Sequence, residues 1–192
     1  KQYRPPAYTA REVHLEVMLD PDATRVRSMV TYERAKTTSP ELPLVLDGDE
    51  LSLSGLSING RKVKEGNYRA TPSKLEIYAL PKKKTFTVEV LTELAPVDNK
   101  KLMGLYQSNG VYCTQCEAEG FRRITYFLDR PDVLAVYTVR LEADRKTCPV
   151  LLSNGNRIER GRLPKGRHFA VWHDPHPKPS YLFALVGGDL DV

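Results

Sequence analysis

The chain has 192 residues, 41% of them hydrophobic and 28% charged, with a formal net charge of +5. That length suits one generous domain or two small ones, with about 70% of the unfolded surface buried on folding. No apolar run approaches the ~20 residues of a membrane-spanning helix, the basic residues are scattered rather than massed on one face with aromatics as in a nucleic-acid module, and three cysteines are an odd count for a disulfide scaffold. Neither a membrane nor a nucleic acid is therefore expected as a partner. Free thiols suit a reducing compartment, and the opening Lys-Gln-Tyr-Arg-Pro-Pro has no apolar stretch of a secretory leader. Both point to the cytoplasm.

Period-two alternation dominates the chain. In Arg11 to Asp20, Val13, Leu15, Val17 and Leu19 alternate with Glu12, His14, Glu16 and Met18, the signature of a half-buried strand. Pro21-Asp22 turns the chain. Arg25 to Arg34 alternates again, with Val26, Ser28, Val30 and Tyr32 on one side. Leu42 to Leu46 and Leu51 to Ile58 read as short strands split by Asp47-Gly48-Asp49. Asn59-Gly60 is a tight-turn signal ahead of Arg61 to Val63. Leu75 to Leu80 and Thr85 to Leu91 follow, and Lys82 to Lys84 between them read as a solvated turn.

The second half keeps this rhythm. Val111 to Cys116, Ile124 to Leu128, Ala135 to Ala143, Val150 to Ser153, Arg157 to Gly161, His168 to Trp172 and Tyr181 to Val186 read as strands. Ser153-Asn-Gly-Asn156 is a turn, and Pro175-His-Pro-Lys-Pro179 reads as a stiff extended loop that cannot be a central strand. The best helical candidate is a single turn at Arg130 to Leu134, with Asp129 as its cap and Pro131 near its first position. Many short strands at close spacing predict an all-β sandwich or an open, saddled sheet assembly.

Chemistry concentrates in Cys113-Thr-Gln-Cys-Glu-Ala-Glu-Gly120 and the residues after it. Cys113-x-x-Cys116 could be half of a metal site, a redox dithiol, or two ordinary small side chains. A structural zinc site needs four ligands, and Cys148, His14, His168, His173 and His176 offer no second pair with ligand spacing. On a strand, residues three apart point to opposite faces, so the two sulfurs would diverge. Gln115, Glu117 and Glu119 lie two residues apart and on an extended chain would share one face. That acidic strip either pairs with Arg122 or Arg123, stays exposed, or receives a cation such as an ammonium group with its three donors. H-E-x-x-H, G-x-S-x-G and phosphate-loop patterns are absent.

Gly104-Leu-Tyr-Gln-Ser108 and Thr114-Gln-Cys-Glu-Ala-Glu-Gly-Phe-Arg-Arg-Ile-Thr-Tyr-Phe-Leu-Asp-Arg-Pro-Asp132 closely resemble the N-terminal domain of the alanyl aminopeptidase N family of zinc metallopeptidases. Tyr3-Arg-Pro-Pro-Ala-Tyr8, Pro149-Val-Leu-Leu-Ser-Asn-Gly155, Gly166-Arg-His168 and Lys178-Pro-Ser-Tyr-Leu-Phe-Ala-Leu-Val-Gly-Gly-Asp189 agree in the right order. The resemblance covers essentially all of residues 1–192. It implies a saddle-shaped, all-β N-terminal domain of a larger aminopeptidase. In that arrangement the domain packs on a catalytic domain absent from this chain, which carries H-E-x-x-H, the zinc and the glutamate general base. No metal or catalytic residue is expected here. Gln115 and Glu117 match the family residues that hold the free α-amino group of a peptide substrate, whereas Glu119 matches no family role and is expected to pair with a nearby arginine. The rival reading is a non-catalytic binding or scaffold module, and the residues C-terminal to Val192 would distinguish the two.

Overall fold

The computed structural model describes residues 3–191. Its first half contains β1 (Tyr8–Met18), β2 (Thr24–Arg34), β3 (Leu44–Asp47), β4 (Leu53–Ile58), β5 (Arg61–Lys62), β6 (Tyr68–Thr71), β7 (Lys74–Ile77) and β8 (Thr85–Leu94). The second half adds β9 (Gly104–Ser108), β10 (Val111–Gln115), β11 (Ala135–Asp144), β12 (Val150–Ser153), β13 (Asn156–Arg162), β14 (Arg167–Lys178) and β15 (Leu185–Gly188). Helical structure among the described residues is limited to 3-10 turns at Pro96–Asp98, Phe121–Arg123 and Ser180–Leu182. The domain is all-β, as the alternation predicts.

Eight strands form the main sheet in the order β13-β14-β11-β1-β2-β8-β4-β5; β12-β15-β10-β9 and β3-β7-β6 form two smaller sheets. The long alternating segment β1 is central, antiparallel to β2 and parallel to β11. Val13, Leu15, Val17 and Leu19 are all buried, as are Val26, Ser28, Val30 and Tyr32 on β2 and Phe86, Val88 and Val90 on β8. Val30 sits opposite both Val13 and Val88, and Tyr32 opposite Phe86, so one row of side chains crosses three strands. Burying such side chains contributes about 1.5–3 kcal/mol each. Asn59 and Gly60 link β4 to β5 with φ of 49° and 75°, the positive pair that a two-residue hairpin turn requires.

Four local expectations fail, each for a physical reason. Ile124 to Leu128 is not a strand. All five residues are buried, and the segment makes only an isolated bridge between Phe127 and Asp47. A continuous apolar run cannot tell a strand from a chain threaded through the core. Tyr181 to Val186 begins as the 3-10 turn after Pro179, and its strand starts only at Leu185. Arg130 to Leu134 forms no helix, only a turn closed by Val133 N–H to the Arg130 carbonyl at 3.2 Å. Asp129 does not cap it. Finally, Pro175 to Lys178 belong to β14. The pairing of β13 with β14 stops at His173, and the register to β11 slips between Ala135 and Tyr137. The prolines thus occupy an edge beside a bulge, where no ladder donor is missed. β6 and β9 carry too little alternation to be seen in the sequence.

Candidate functional site

The site begins where β10 leaves its sheet. β10 pairs with β15 only through Tyr112 and Cys113. At the next position the Thr114 hydroxyl replaces the ladder, accepting the Leu185 N–H at 2.8 Å and donating to the Leu185 carbonyl at 3.2 Å. Gln115 still sits opposite Gly104 of β9. The chain then turns through Cys116 to Gly120, closed by the Gly120 N–H to the Cys116 carbonyl at 2.8 Å. The Glu117–Ala118 peptide is cis. Gly120 is dictated by space, because a Cβ there would lie 2.2 Å from the Gln115 carbonyl oxygen and 2.8 Å from the Cys116 Cα.

Beyond the turn, Phe121 plugs into an aromatic cluster. Its ring is edge-on to Phe127 at 5.0 Å, Phe183 at 5.2 Å and Tyr137 at 6.1 Å. Such pairs add about 0.5–1.5 kcal/mol each beyond their buried area. The turn therefore hangs between a sheet on one side and the core on the other.

Two arginines brace it. The Arg122 backbone N–H and Nε both donate to Asp129 Oδ2, at 3.2 and 3.0 Å, and Nη2 donates to the Asp129 carbonyl at 3.0 Å. Asp129 is almost fully buried, and its Oδ1 accepts the Ser180 hydroxyl at 2.5 Å. Arg122 Nη2 also reaches Glu119 at 3.4 Å and Asp47 at 4.0 Å. Arg123 pairs with Asp49 at 2.6 Å and Glu50 at 2.7 Å and donates Nε to the Met103 carbonyl at 3.1 Å. Hydrogen bonds from Lys101 and Arg123 hold the Glu50 carboxyl down at about 2. Burial raises the Asp47 carboxyl, against the pull of Arg122.

One carboxylate of this cluster is left over. Asp47, Asp49, Glu50, Glu119 and Asp129 are all spoken for by Arg122, Arg123 or Lys101. Glu117 is exposed, and among the described residues no cation lies within ion-pair distance of it. Gln115 spends its amide nitrogen on the Glu117 carbonyl at 3.1 Å, so its Oε1 remains to accept. The expected common face on an extended chain is not the mechanism, since the strand ends at Gln115. A turn and a side-chain hydrogen bond bring Gln115 and Glu117 together, while Glu119 diverges to Arg122. Both residues are exposed, so the pair stands on an open surface.

The cysteines offer no chemistry. Cys113, Cys116 and Cys148 are free thiols. Burial pushes both Cys116 and Cys148 up to about 12 and raises Cys113 as well, which suppresses the thiolate that nucleophiles and metal ligands need. Among the described residues no three His, Cys, Asp or Glu side chains are placed to hold a metal ion, so zinc does not fit this chain's own residues. Spacing could not have revealed the braces: Arg123 reaches 73 and 74 residues back to Glu50 and Asp49, and Ser180 reaches 51 residues back to Asp129.

Residues 4–182 match the peptidase M1 N-terminal domain. The chain belongs to that family. Aminopeptidase N of Caulobacter vibrioides is 52% identical over 190 residues, covering 99% of this chain and 21% of that protein. Aminopeptidase N of Escherichia coli K12 is 45% identical over 190 residues, with the same two shares. The M1 N-terminal domain thus spans about a fifth of the length of the curated relatives it matches. A crystal structure of Legionella pneumophila aminopeptidase A in complex with aspartic acid superposes with a TM-score of 0.92 at 39% identity, over 98% of this chain and 22% of that one. An M1 zinc metallopeptidase of Deinococcus radiodurans shares the fold at a TM-score of 0.79 and 19% identity, over 96% of this chain and 43% of that one.

Proposed function

We propose that residues 1–192 form the N-terminal domain of a zinc aminopeptidase, where Gln115 and Glu117 hold the α-ammonium group of the peptide substrate. One observation carries this reading. Of the carboxylates gathered around Arg122 and Arg123, the other five are paired with an arginine or lysine, whereas Glu117 is exposed with no ion-pair partner among the described residues and has the Gln115 amide hydrogen-bonded to its backbone. An ammonium brings three donors and no acceptor; the Glu117 carboxylate accepts only, and Gln115 Oε1 is an acceptor left free while its Nε2 donates to the Glu117 carbonyl. The relatives named aminopeptidase N support the same activity, and the zinc would belong to a catalytic domain of the same polypeptide on which this domain packs. Three free thiols are compatible with the cytoplasmic location that forms part of the proposal.

The mechanism assigned to this chain is positional. A bound terminal ammonium fixes the first peptide bond at a set distance from the acceptor pair, so cleavage removes one residue at a time. A hydrogen bond to a charged group is worth roughly 1.5–3 kcal/mol, or roughly 10- to 150-fold in kcat/KM. The reading is tested in the full-length enzyme. Glu117→Ala should lower kcat/KM on amino-acid arylamides at least about tenfold with zinc content unchanged. A rate near wild type would refute the assignment. Purified 1–192 should hydrolyse none of these substrates, and robust activity from it would refute the domain reading.

A further inference from the structure

The turn entering β9 carries an exposed leucine in a backbone conformation that leucine avoids. Leu102 has φ 56° and is 54% exposed. A bulky L-residue rarely enters the left-handed region, and an aliphatic side chain makes no local hydrogen bond that would offset the cost. Its surroundings impose the shape. Asn99 Nδ2 donates to the carbonyls of Met103 at 2.8 Å and Leu105 at 2.9 Å, and Asn99 Oδ1 accepts the Lys101 N–H at 3.1 Å. Arg123 Nε holds the Met103 carbonyl from the other side. Gly104 follows at φ 71°, where a Cβ would meet Arg123 Cβ at 2.6 Å and the Gly120 carbonyl oxygen at 3.2 Å.

This turn lies beside the acceptor pair. Gly104 is opposite Gln115 across the β9–β10 ladder, so Leu102 and Met103 approach the sheet at the same end where Cys116 and Glu117 leave it. The room for a Cβ at Gly104 is taken by Arg123 and Gly120, so the two turns lie against each other. An enforced, strained backbone presenting an apolar side chain to solvent is the kind of feature that gathers at ligand contacts.

We infer that Leu102 is a specificity-determining residue, its side chain forming an apolar wall for the first side chain of the peptide. The inference rests on the amine-reading role of Gln115 and Glu117. The α-amine and the first side chain share one carbon, so a pair of acceptors that fixes the amine also confines that side chain to the immediate surroundings. An apolar wall there favours leucine, methionine or phenylalanine at the substrate N-terminus. Alanine is too short to gain much from it.

The test uses the full-length, zinc-loaded enzyme. Leu102→Gly accepts the positive φ without steric cost, which keeps folding out of question. Leu102→Asn also tolerates that φ and keeps a side chain of similar length, but a polar one. Both should lower kcat/KM for leucine and phenylalanine arylamides about tenfold and for alanine arylamide far less, so the leucine-to-alanine ratio collapses. Glu117→Ala, measured alongside, should depress all three substrates alike. An unchanged leucine-to-alanine ratio in the Leu102 variants, through uniform loss or no loss, overturns the inference while leaving the amine site standing. A Glu117→Ala enzyme near wild type overturns both.

Discussion

Asp129→Ala offers the sharpest test of what holds the Gln115–Glu117 turn. The side chain is 1% exposed and accepts three hydrogen bonds, from the Arg122 backbone N–H, Arg122 Nε and the Ser180 hydroxyl. Truncation strands a hydroxyl in a residue that is 1% exposed, together with a half-buried amide, at about 1–3 kcal/mol each. Breaking a buried charge pair from one side costs about 3–5 kcal/mol. The Arg122 guanidinium keeps the Asp129 carbonyl at 3.0 Å and Glu119 at 3.4 Å, so its charge is not abandoned. The expected loss is therefore about 3–4 kcal/mol, at the lower end of that range. For a domain of this size it corresponds to a fall in Tm of roughly 6–16 °C. Urea unfolding of 1–192, followed through the single tryptophan, Trp172, would measure it. Asp129→Asn preserves the volume but turns one acceptor into a donor, and should cost roughly 1–2 kcal/mol. A loss below about 1 kcal/mol for the alanine variant would show that this network does not anchor the turn.

Gly120→Ala should displace the turn, since its Cβ would meet backbone at 2.2 and 2.8 Å. In the full-length enzyme kcat/KM should fall about 100-fold, and a rate within a factor of two or so would show that the turn is not positioned as described. Native protein at pH 8 should react with a thiol reagent at Cys113 at most, because burial holds Cys116 and Cys148 up at about 12. All three should react after denaturation, and rapid labelling of three thiols in the native state would contradict the burial. Hydrogen bonds from Arg11 and Lys84 hold the Glu33 carboxyl down at about 2, and Lys101 and Arg123 do the same for Glu50. A carboxyl depressed on folding stabilises above its ordinary value near 4.5 and loses that contribution as pH falls towards 2. Stability should decline across that window, less steeply at 1 M salt, which screens exposed pairs. A flat profile would refute the pairings.

How much was legible in the sequence differs from element to element. The strands with a buried and an exposed face announced themselves, because the pleat converts burial directly into alternation. The buried rows of β1 and β2 coincide with the alternating sets, and Asn59-Gly60 marked its turn because few residue pairs accept two positive φ angles. Segments buried all round gave no such signal. Ile124 to Leu128 looked like a strand, although it threads the core between sheets. The polar acceptors Gln115, Glu117 and Glu119 were visible as residues, and the family resemblance singled out the first two.

Their arrangement belongs to the tertiary structure alone. Local sequence offered Glu117 the adjacent arginines, Arg122 and Arg123, as obvious partners. Only the folded chain brings Asp47, Asp49, Glu50 and Asp129 to occupy those arginines and leaves Glu117 uncompensated. Charge neutralisation is a competition among all groups within a few ångströms, and most of the competitors for Arg122 and Arg123 lie tens of residues away along the chain. Composition and periodicity determined that this is an all-β domain, whereas long-range pairing decided which of the carboxylates around Arg122 and Arg123 is left without a counter-charge.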